Sequence, residues 1–259
     1  MTTPRAGTKT LQGKVAIVTG WGRGIGREYA LAFAREGAKV VVAEVIDDNG
    51  HKVAEEVQEL GGEATFLHLD LAEERSCQEV AAQAARRYGG IDILANNGAI
   101  YHSMRRDSFM NVSLDYFNRL MAVNVTGQML MTRAVAPAMK QRGRGKIVFQ
   151  ASAAAYSAIS SPYGLSKLAV VGLTKGFAAE LGPYGINVNC IAPGPTDTEA
   201  TRTTVSPQQL EALVKTMPLG RIGQPKDMVG AMLFLASEAS DFMTGQVLLV
   251  DGGLTRGRL

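Results

Sequence analysis

The sequence predicts an α/β chain: a single domain built on a doubly wound parallel sheet of seven strands, with helices on both faces. Three observations predict it. Seven short, β-branched apolar runs recur along the chain, of the kind buried on both faces of a sheet. Helical stretches separate most of them. Glycine, at 29 of 259 residues, falls between the runs rather than in one tract and marks many tight turns.

The elements follow in order. Residues 14–20 form the first run, rich in Val and Ile and closed by Gly20. An Ala-rich helical stretch, 24–36, stops at Gly37. The second run is 39–44, and the helix after it, 48–60, stops at Gly61 and Gly62. The third run, 64–70, precedes a helix over 73–88 that ends at Gly89 and Gly90. The fourth run is 91–96. A long Met-rich helix, 114–141, leads to the fifth run, 145–150. Pro162 opens a helix that reaches 181 and stops at Gly182 and Pro183. The sixth run is 186–192, a helix starts at Pro225 and reaches 237, and the seventh run is 246–251. No composition break divides the chain, so residues 11–259 read as one domain after a flexible tail of residues 1–10. The long Thr- and Pro-rich connection at 195–219 reads as a substrate loop.

Composition excludes several classes. Hydrophobic residues make up 46% and charged residues 20%, so the chain is not disordered. Lys and Arg number 27 against 24 acidic residues, a net +3 spread along the chain, unlike the clustered charge of a nucleic-acid binder. No run is long and apolar enough to span a membrane, and residues 1–9 lack the apolar core of a signal peptide. Cys77 and Cys190 make neither a metal pattern nor a disulfide framework, which points to a reducing, cytoplasmic compartment.

In a doubly wound sheet, ligands bind outside the carboxyl ends of the strands. The stretch Thr19, Gly20, Trp21, Gly22, Arg23, Gly24, Ile25, Gly26 lies there. Glycines let the backbone approach a phosphate, and a helix N-terminus offers free N–H groups. Glu44 ends the second run, where a carboxylate can accept both ribose hydroxyls and repel a 2′-phosphate. Asp70 and Leu71 end the third, where the Asp side chain can either meet an adenine edge or cap the helix that begins at Glu73. Tyr163 and Lys167 are spaced i, i+4 on one helix face, and a nearby ammonium acidifies a phenol. Ser152 follows the fifth run and can reach the same point.

Together these residues resemble the short-chain dehydrogenase/reductase family, in its shorter single-domain branch with a Rossmann fold. The likeness runs from about Leu11 to Gly253. The family's T-G-x-x-x-G-x-G loop matches Thr19, Gly20, Gly24 and Gly26, and its D-[VL] pair matches Asp70 and Leu71. Its N-N-A-G motif stands here as Asn96, Asn97, Gly98, Ala99, with the last two exchanged. Its active-site Asn, Ser and Y-x-x-x-K match Asn124, Ser152, Tyr163 and Lys167, and its P-G-x-x-x-T run matches Pro193, Gly194 and Thr198.

The resemblance implies an oxidoreductase acting on CH–OH groups. Tyr163 would be the general acid/base, Lys167 would lower its pKa and hold the nicotinamide ribose, and Ser152 would orient the substrate oxygen. Asn124 would hold a water linking Lys167 to solvent. The Thr196 backbone and Thr198 side chain would fix the carboxamide, with Pro193 and Gly194 leading into them. Asn97 would lie beside the adenosine ribose, with Gly20, Arg23, Gly24, Ile25 and Gly26 along the pyrophosphate. A homotetramer is implied as well.

Glu44 favours NAD over NADP, while Arg23 pulls the other way. The walls at 153–161, at Ile100, Tyr101 and His102, and at 195–219 suit a secondary alcohol or ketone that is apolar, cyclic or aromatic. The alternatives are an NADPH-dependent 3-oxoacyl-thioester reductase, disfavoured by Tyr184 just before Gly185, and a non-catalytic NAD(H) sensor. The exchanged Gly98 and Ala99 would bend that strand end differently. The separation of eleven residues between Ser152 and Tyr163 would open the pocket. Trp21 would either lie near the cofactor or pack on the sheet end.

Overall fold

The computed structural model describes residues 9–20, 24–101, 104–105, 107–157 and 161–256. Its strands are β1 (Val15–Thr19), β2 (Lys39–Glu44), β3 (Glu63–His68), β4 (Ile93–Asn96), β5 (Gly145–Gln150), β6 (Ile186–Pro193) and β7 (Val247–Val250). They form one sheet in the order β3-β2-β1-β4-β5-β6-β7, and every neighbouring pair is parallel. These are the seven runs of the sequence, shifted by a residue or two at their ends.

Successive side chains on a strand point to opposite faces, so apolar residues at every position demand a helix layer on each side. On one face Val41, Leu94, Ile147 and Val188 pack with α3 (Glu74–Tyr88), α5 (Gln128–Arg142) and α7 (Pro162–Leu181), through Val80, Met131 and Val170. On the other face Val40, Val42, Ile93 and Val148 pack with α1 (Ile25–Arg35), α2 (Asp47–Glu59) and α10 (Val229–Ala236), through Phe33, Val53 and Met232. Among the described residues no helix is long and apolar enough to cross a membrane.

Two predicted segments differ from expectation. The helix predicted over 114–141 is broken into α4 (Leu114–Met121), a π-helical turn (Ala122–Gly127) and α5. Gly127 is the tight point: a Cβ there would lie 2.5 Å from the Leu71 backbone oxygen. The connection at 195–219 contains α8 (Glu199–Thr204) and α9 (Pro207–Val214), while α6 (Ala154–Ser157) follows β5. These helices are too short to show an apolar period. Their caps are local: Thr198 accepts from the Thr201 N–H, and Ser206 forms a capping box with Gln209. Near the start of the described chain, Thr10 is tied to the Glu36 carboxylate, and Leu11 is fully buried.

Candidate active site

The strand order reverses between β1 and β4, and the crevice at their carboxyl ends is the place where this fold binds ligands. The Gly20 N–H donates to the Ala43 carbonyl at 3.0 Å, which sets the turn after β1 against the end of β2. Gly20 has φ +73°, and a Cβ there would strike the Gly98 backbone. A Cβ on Gly26 would lie 2.6 Å from the Gly20 oxygen, and one on Gly24 2.9 Å from the Thr198 methyl. Helix α1 starts from Gly24 with no side-chain cap. A cradle without Cβ atoms at an uncapped helix N-terminus fits a pyrophosphate. Ile25 begins that helix, while Trp21, Arg23 and His102 lie outside the described residues.

Asn97 locks the cradle from below, its amide donating to the Thr19 and Gly20 carbonyl oxygens. The Gly98 N–H donates to the fully buried Thr19 hydroxyl at 3.0 Å. The exchange of Gly98 and Ala99 therefore has a steric meaning. A Cβ on Gly98 would lie 2.6 Å from Leu71 Cδ1 and 3.2 Å from Thr19 Oγ1, so the glycine lets the chain after β4 pass close to Leu71 and the turn.

Glu44 ends β2 at the same edge, buried, with Oε1 accepting the Val45 and Ile46 N–H groups. Asp70 closes a turn of its own by accepting the Ala72 N–H at 2.8 Å. On the far side of the crevice, Pro193 ends β6, and Gly194 donates to the Val250 carbonyl. Gly194 also lies tightly against Asp251, whose Cα would be 2.6 Å from an added Cβ. The buried Thr196 hydroxyl donates to the Gly194 oxygen, and Thr198 packs on Gly24.

The third group comes from β5 and α7. Pro162 is the first residue of α7, and the Ser161 hydroxyl caps it by accepting the Gly164 N–H. The cap fixes the first turn, and with it Tyr163 and Lys167 one above the other. Lys167 is 2% exposed, with its Nζ 5.7 Å from the Tyr163 ring centroid and donating to the Gln150 carbonyl at 2.9 Å. Burial drives the Lys167 pKa down to about 8, against a smaller upward pull from the Cys190 thiol. The Ser152 hydroxyl hydrogen-bonds with the phenol.

The phenol itself departs from expectation. Low-water surroundings, then Tyr101, push the Tyr163 pKa above its ordinary value, and the Ser152 bond offsets only part of this. Desolvation is the largest cause, so burial of the phenol favours its protonated form.

Asn124 sits in the π-helical turn, fully buried. Its Oδ1 accepts the Ile100 N–H at 2.7 Å, and its Nδ2 donates to the Ser166 hydroxyl at 3.2 Å. Asn124 ties the wall after β4 to α7. Four residues carry no signal in the sequence: Tyr29, Gln150, Ser166 and Thr204. The Thr204 hydroxyl donates to the Tyr101 carbonyl, linking α8 to the wall over Tyr163. The Tyr101 and Tyr163 rings lie 5.3 Å apart.

Fold and site define a dinucleotide-binding α/β protein with a hydroxyl pair and a buried lysine at the carboxyl edge of its sheet. The comparisons agree. A family model described as enoyl-(acyl carrier protein) reductase matches residues 20–255. An uncharacterized oxidoreductase of Mycobacterium tuberculosis is 48% identical over 240 residues, covering 93% of this chain and 96% of the relative. The cyclohexanol dehydrogenase of Rhodococcus sp. strain TK6 is 36% identical over 262 residues, 95% of this chain and 97% of that one. Among solved structures, a 7α-hydroxysteroid dehydrogenase complexed with NADH and 7-oxo glycochenodeoxycholic acid superposes with a TM-score of 0.91 at 35% identity. It spans 97% of this chain and 98% of its own. The chain belongs to the short-chain dehydrogenase/reductase family and is an NAD(P)-dependent oxidoreductase acting on small molecules.

Proposed function

We propose that this enzyme interconverts a secondary alcohol and a ketone with NAD(H), Tyr163 serving as general acid/base. The observation that carries the reading is the meeting of Ser152, Tyr163 and Lys167 at the end of β5, across the crevice from the Cβ-free cradle of Gly20, Gly24 and Gly26. When bound, a nicotinamide supplies the hydride chemistry. Tyr163 gives its phenolic proton to the carbonyl oxygen during reduction and takes it back during oxidation. Ser152 holds that oxygen in place. Lys167, with its pKa near 8, stabilises the phenolate and passes the replacing proton. Asn124 keeps the wall of Ile100 in register with α7.

Glu44 supports NAD, because a buried carboxylate at the end of β2 repels a 2′-phosphate. Arg23, Asp70, Leu71, Asn97, Pro193, Gly194, Thr196 and Thr198 complete the proposed dinucleotide site. Tyr101, held by Thr204, gives the substrate an aromatic wall, which supports an apolar, cyclic or aromatic alcohol. For assembly, α5 and α7 are the helices proposed to build a cytoplasmic homotetramer. Leu168, Gly172 and Gly176 lie one turn apart on α7, with Leu168 39% exposed and nothing within 4 Å of a Cβ on either glycine.

The test is the rate of NAD and NADP reduction across cyclic, aromatic and 3-hydroxyacyl secondary alcohols. Turnover with NAD on the cyclic or aromatic class is expected. Turnover on 3-hydroxyacyl thioesters alone would replace the substrate reading, and NADH binding without turnover would favour a sensor. Glu44→Ala should raise kcat/KM for NADP by about tenfold or more, since removing one close like charge is worth ~1–2 kcal/mol. An unchanged NADP rate would remove Glu44 from the ribose site.

A further inference from the structure

Gln150 closes β5 two residues before Ser152 and makes two bonds in opposite directions. Its backbone oxygen accepts from Lys167 Nζ at 2.9 Å. Its side-chain Oε1 accepts from the Tyr29 hydroxyl at 3.0 Å. Tyr29 belongs to α1, the helix that starts at the glycine cradle, and is 0% exposed. One residue therefore joins the dinucleotide-binding helix to the lysine beneath the phenol, across 121 positions of sequence.

Packing alone does not call for the Tyr29 hydroxyl. Its ring sits in the apolar layer with Phe33, Val40 and Val148. A Phe would fill that space and leave no buried polar atom of its own to satisfy. The phenol's pKa is raised by burial and by Cys190, so it stays a donor across the working pH range. The titratable groups facing Lys167 are Tyr163 from its own helix and the Cys190 thiol from β6. Tyr29 packs in the layer on one face of the sheet and Cys190 in the layer on the other, so Gln150, at the end of β5, is the residue that reaches both sides.

We propose that Tyr29 and Gln150 form a positioning bridge that holds the Lys167 ammonium under Tyr163 and couples it to the helix carrying the dinucleotide. The bridge rests on the reading of Tyr163 and Lys167 as the proton-transfer pair. It acts on the Gln150 carbonyl: the side-chain anchor on α1 adds to the pairing of β5 with β6, where the Ala151 N–H donates to the Ile191 oxygen, in keeping that carbonyl turned toward Nζ.

The test compares Tyr29→Phe, the double variant Tyr29→Phe/Gln150→Leu, and Tyr163→Phe, each as the full-length chain. Tyr29→Phe should lower kcat about tenfold while the NADH dissociation constant stays within about threefold, the pattern of an interaction used in the chemical step. The inflection of the kcat–pH profile should also move by about half a pH unit or more, because the lysine has changed surroundings. The double variant removes both polar partners, so it should regain thermal stability without regaining kcat or the original inflection. A Tyr29→Phe enzyme with the parent kcat and pH profile would overturn the bridge, whatever its melting temperature. Recovery of kcat together with stability in the double variant would do the same. Turnover surviving in Tyr163→Phe would overturn the bridge and the underlying proton-transfer reading together. A dead Tyr163→Phe beside an unaffected Tyr29→Phe would overturn the bridge alone.

Discussion

The two halves of the crevice are built on opposite principles. Around β1 and β4 the site is made of absences: Gly20, Gly24, Gly26 and Gly98 leave no space where a Cβ would go. Around β5 and α7 it is made of side-chain atoms: one hydroxyl on Ser152, one on Tyr163 and one ammonium on Lys167. The first half should break when a methyl is added, the second when a single polar atom is removed. The first kind of damage should appear in binding and stability, the second in turnover.

The largest expected effect is in the second half. Tyr163→Phe removes one oxygen from a half-buried residue and leaves the glycine cradle untouched. Turnover should fall by about 10²–10⁴-fold, the usual worth of a positioned acid/base. NADH affinity, read from fluorescence quenching, should stay within about twofold, because the phosphate contacts lie elsewhere. A large loss of NADH binding would blur the two halves into one.

Gly26→Ala tests the first half. Its added carbon would lie 2.6 Å from the Gly20 oxygen and 2.7 Å from the Asn97 amide nitrogen. Neither neighbour is the free end of a flexible chain, since that amide is already bonded to the Thr19 and Gly20 carbonyls. Overpacking of this kind costs ~1–3 kcal/mol, and the displaced turn should weaken NAD binding. Isothermal titration beside urea unfolding measures both losses. Unaltered binding would mean that the turn is not the phosphate seat.

The same division governs what the sequence discloses. The strands are readable because runs such as Val40, Val41, Val42 carry their burial on both faces in their own composition. Tyr163 and Lys167 are readable because helical spacing alone puts them together. Asn97 and Gly98 stand out as a motif, but their work under the Gly20 turn does not, because it depends on contacts across 77 to 79 positions. The π-helical turn at Asn124 is hidden for the same reason. It goes with the close approach of Gly127 to Leu71, a contact no periodicity encodes. The direction of the Tyr163 shift is the reverse of what spacing suggests, because spacing reveals the lysine but not the dryness around the phenol.

Lys167 shows that the second half is held at a cost to stability. Its pKa falls from 10.5 to about 8 in the folded chain. Between those values the unfolded chain holds a proton that the folded chain does not, so this group's contribution to stability rises with pH. Below pH 8 both states are charged, and the folded state bears the full desolvation penalty. Lys167→Met should therefore be more stable than the parent by ~1–3 kcal/mol at pH 7, with the gap closing toward pH 10. Paired urea unfolding at the two pH values, parent against variant, cancels the titration of groups on which Lys167 does not act, such as Tyr29 and Cys77. A gap that widened with pH would mean the ammonium is stabilised where it stands.

The smallest expected effect sharpens the rule for added methyls. Gly230 lies in the first turn of α10, is exposed, and would have nothing within 4 Å of an added Cβ. Its φ lies outside the positive range that penalises L side chains. Gly230→Ala makes the same chemical change as Gly26→Ala, yet the sign should reverse. Alanine restricts the unfolded chain and favours the helix, a gain of ~0.5–1 kcal/mol at an interior position and less in a first turn. Thermal unfolding should show a small rise in midpoint with kcat and NAD affinity unchanged. A loss of stability would mean that Gly230 is covered by something outside this chain. A loss of NAD binding would mean that α10, packed behind α1, transmits strain to the cradle, and the division between the two halves would then extend through the whole helix layer.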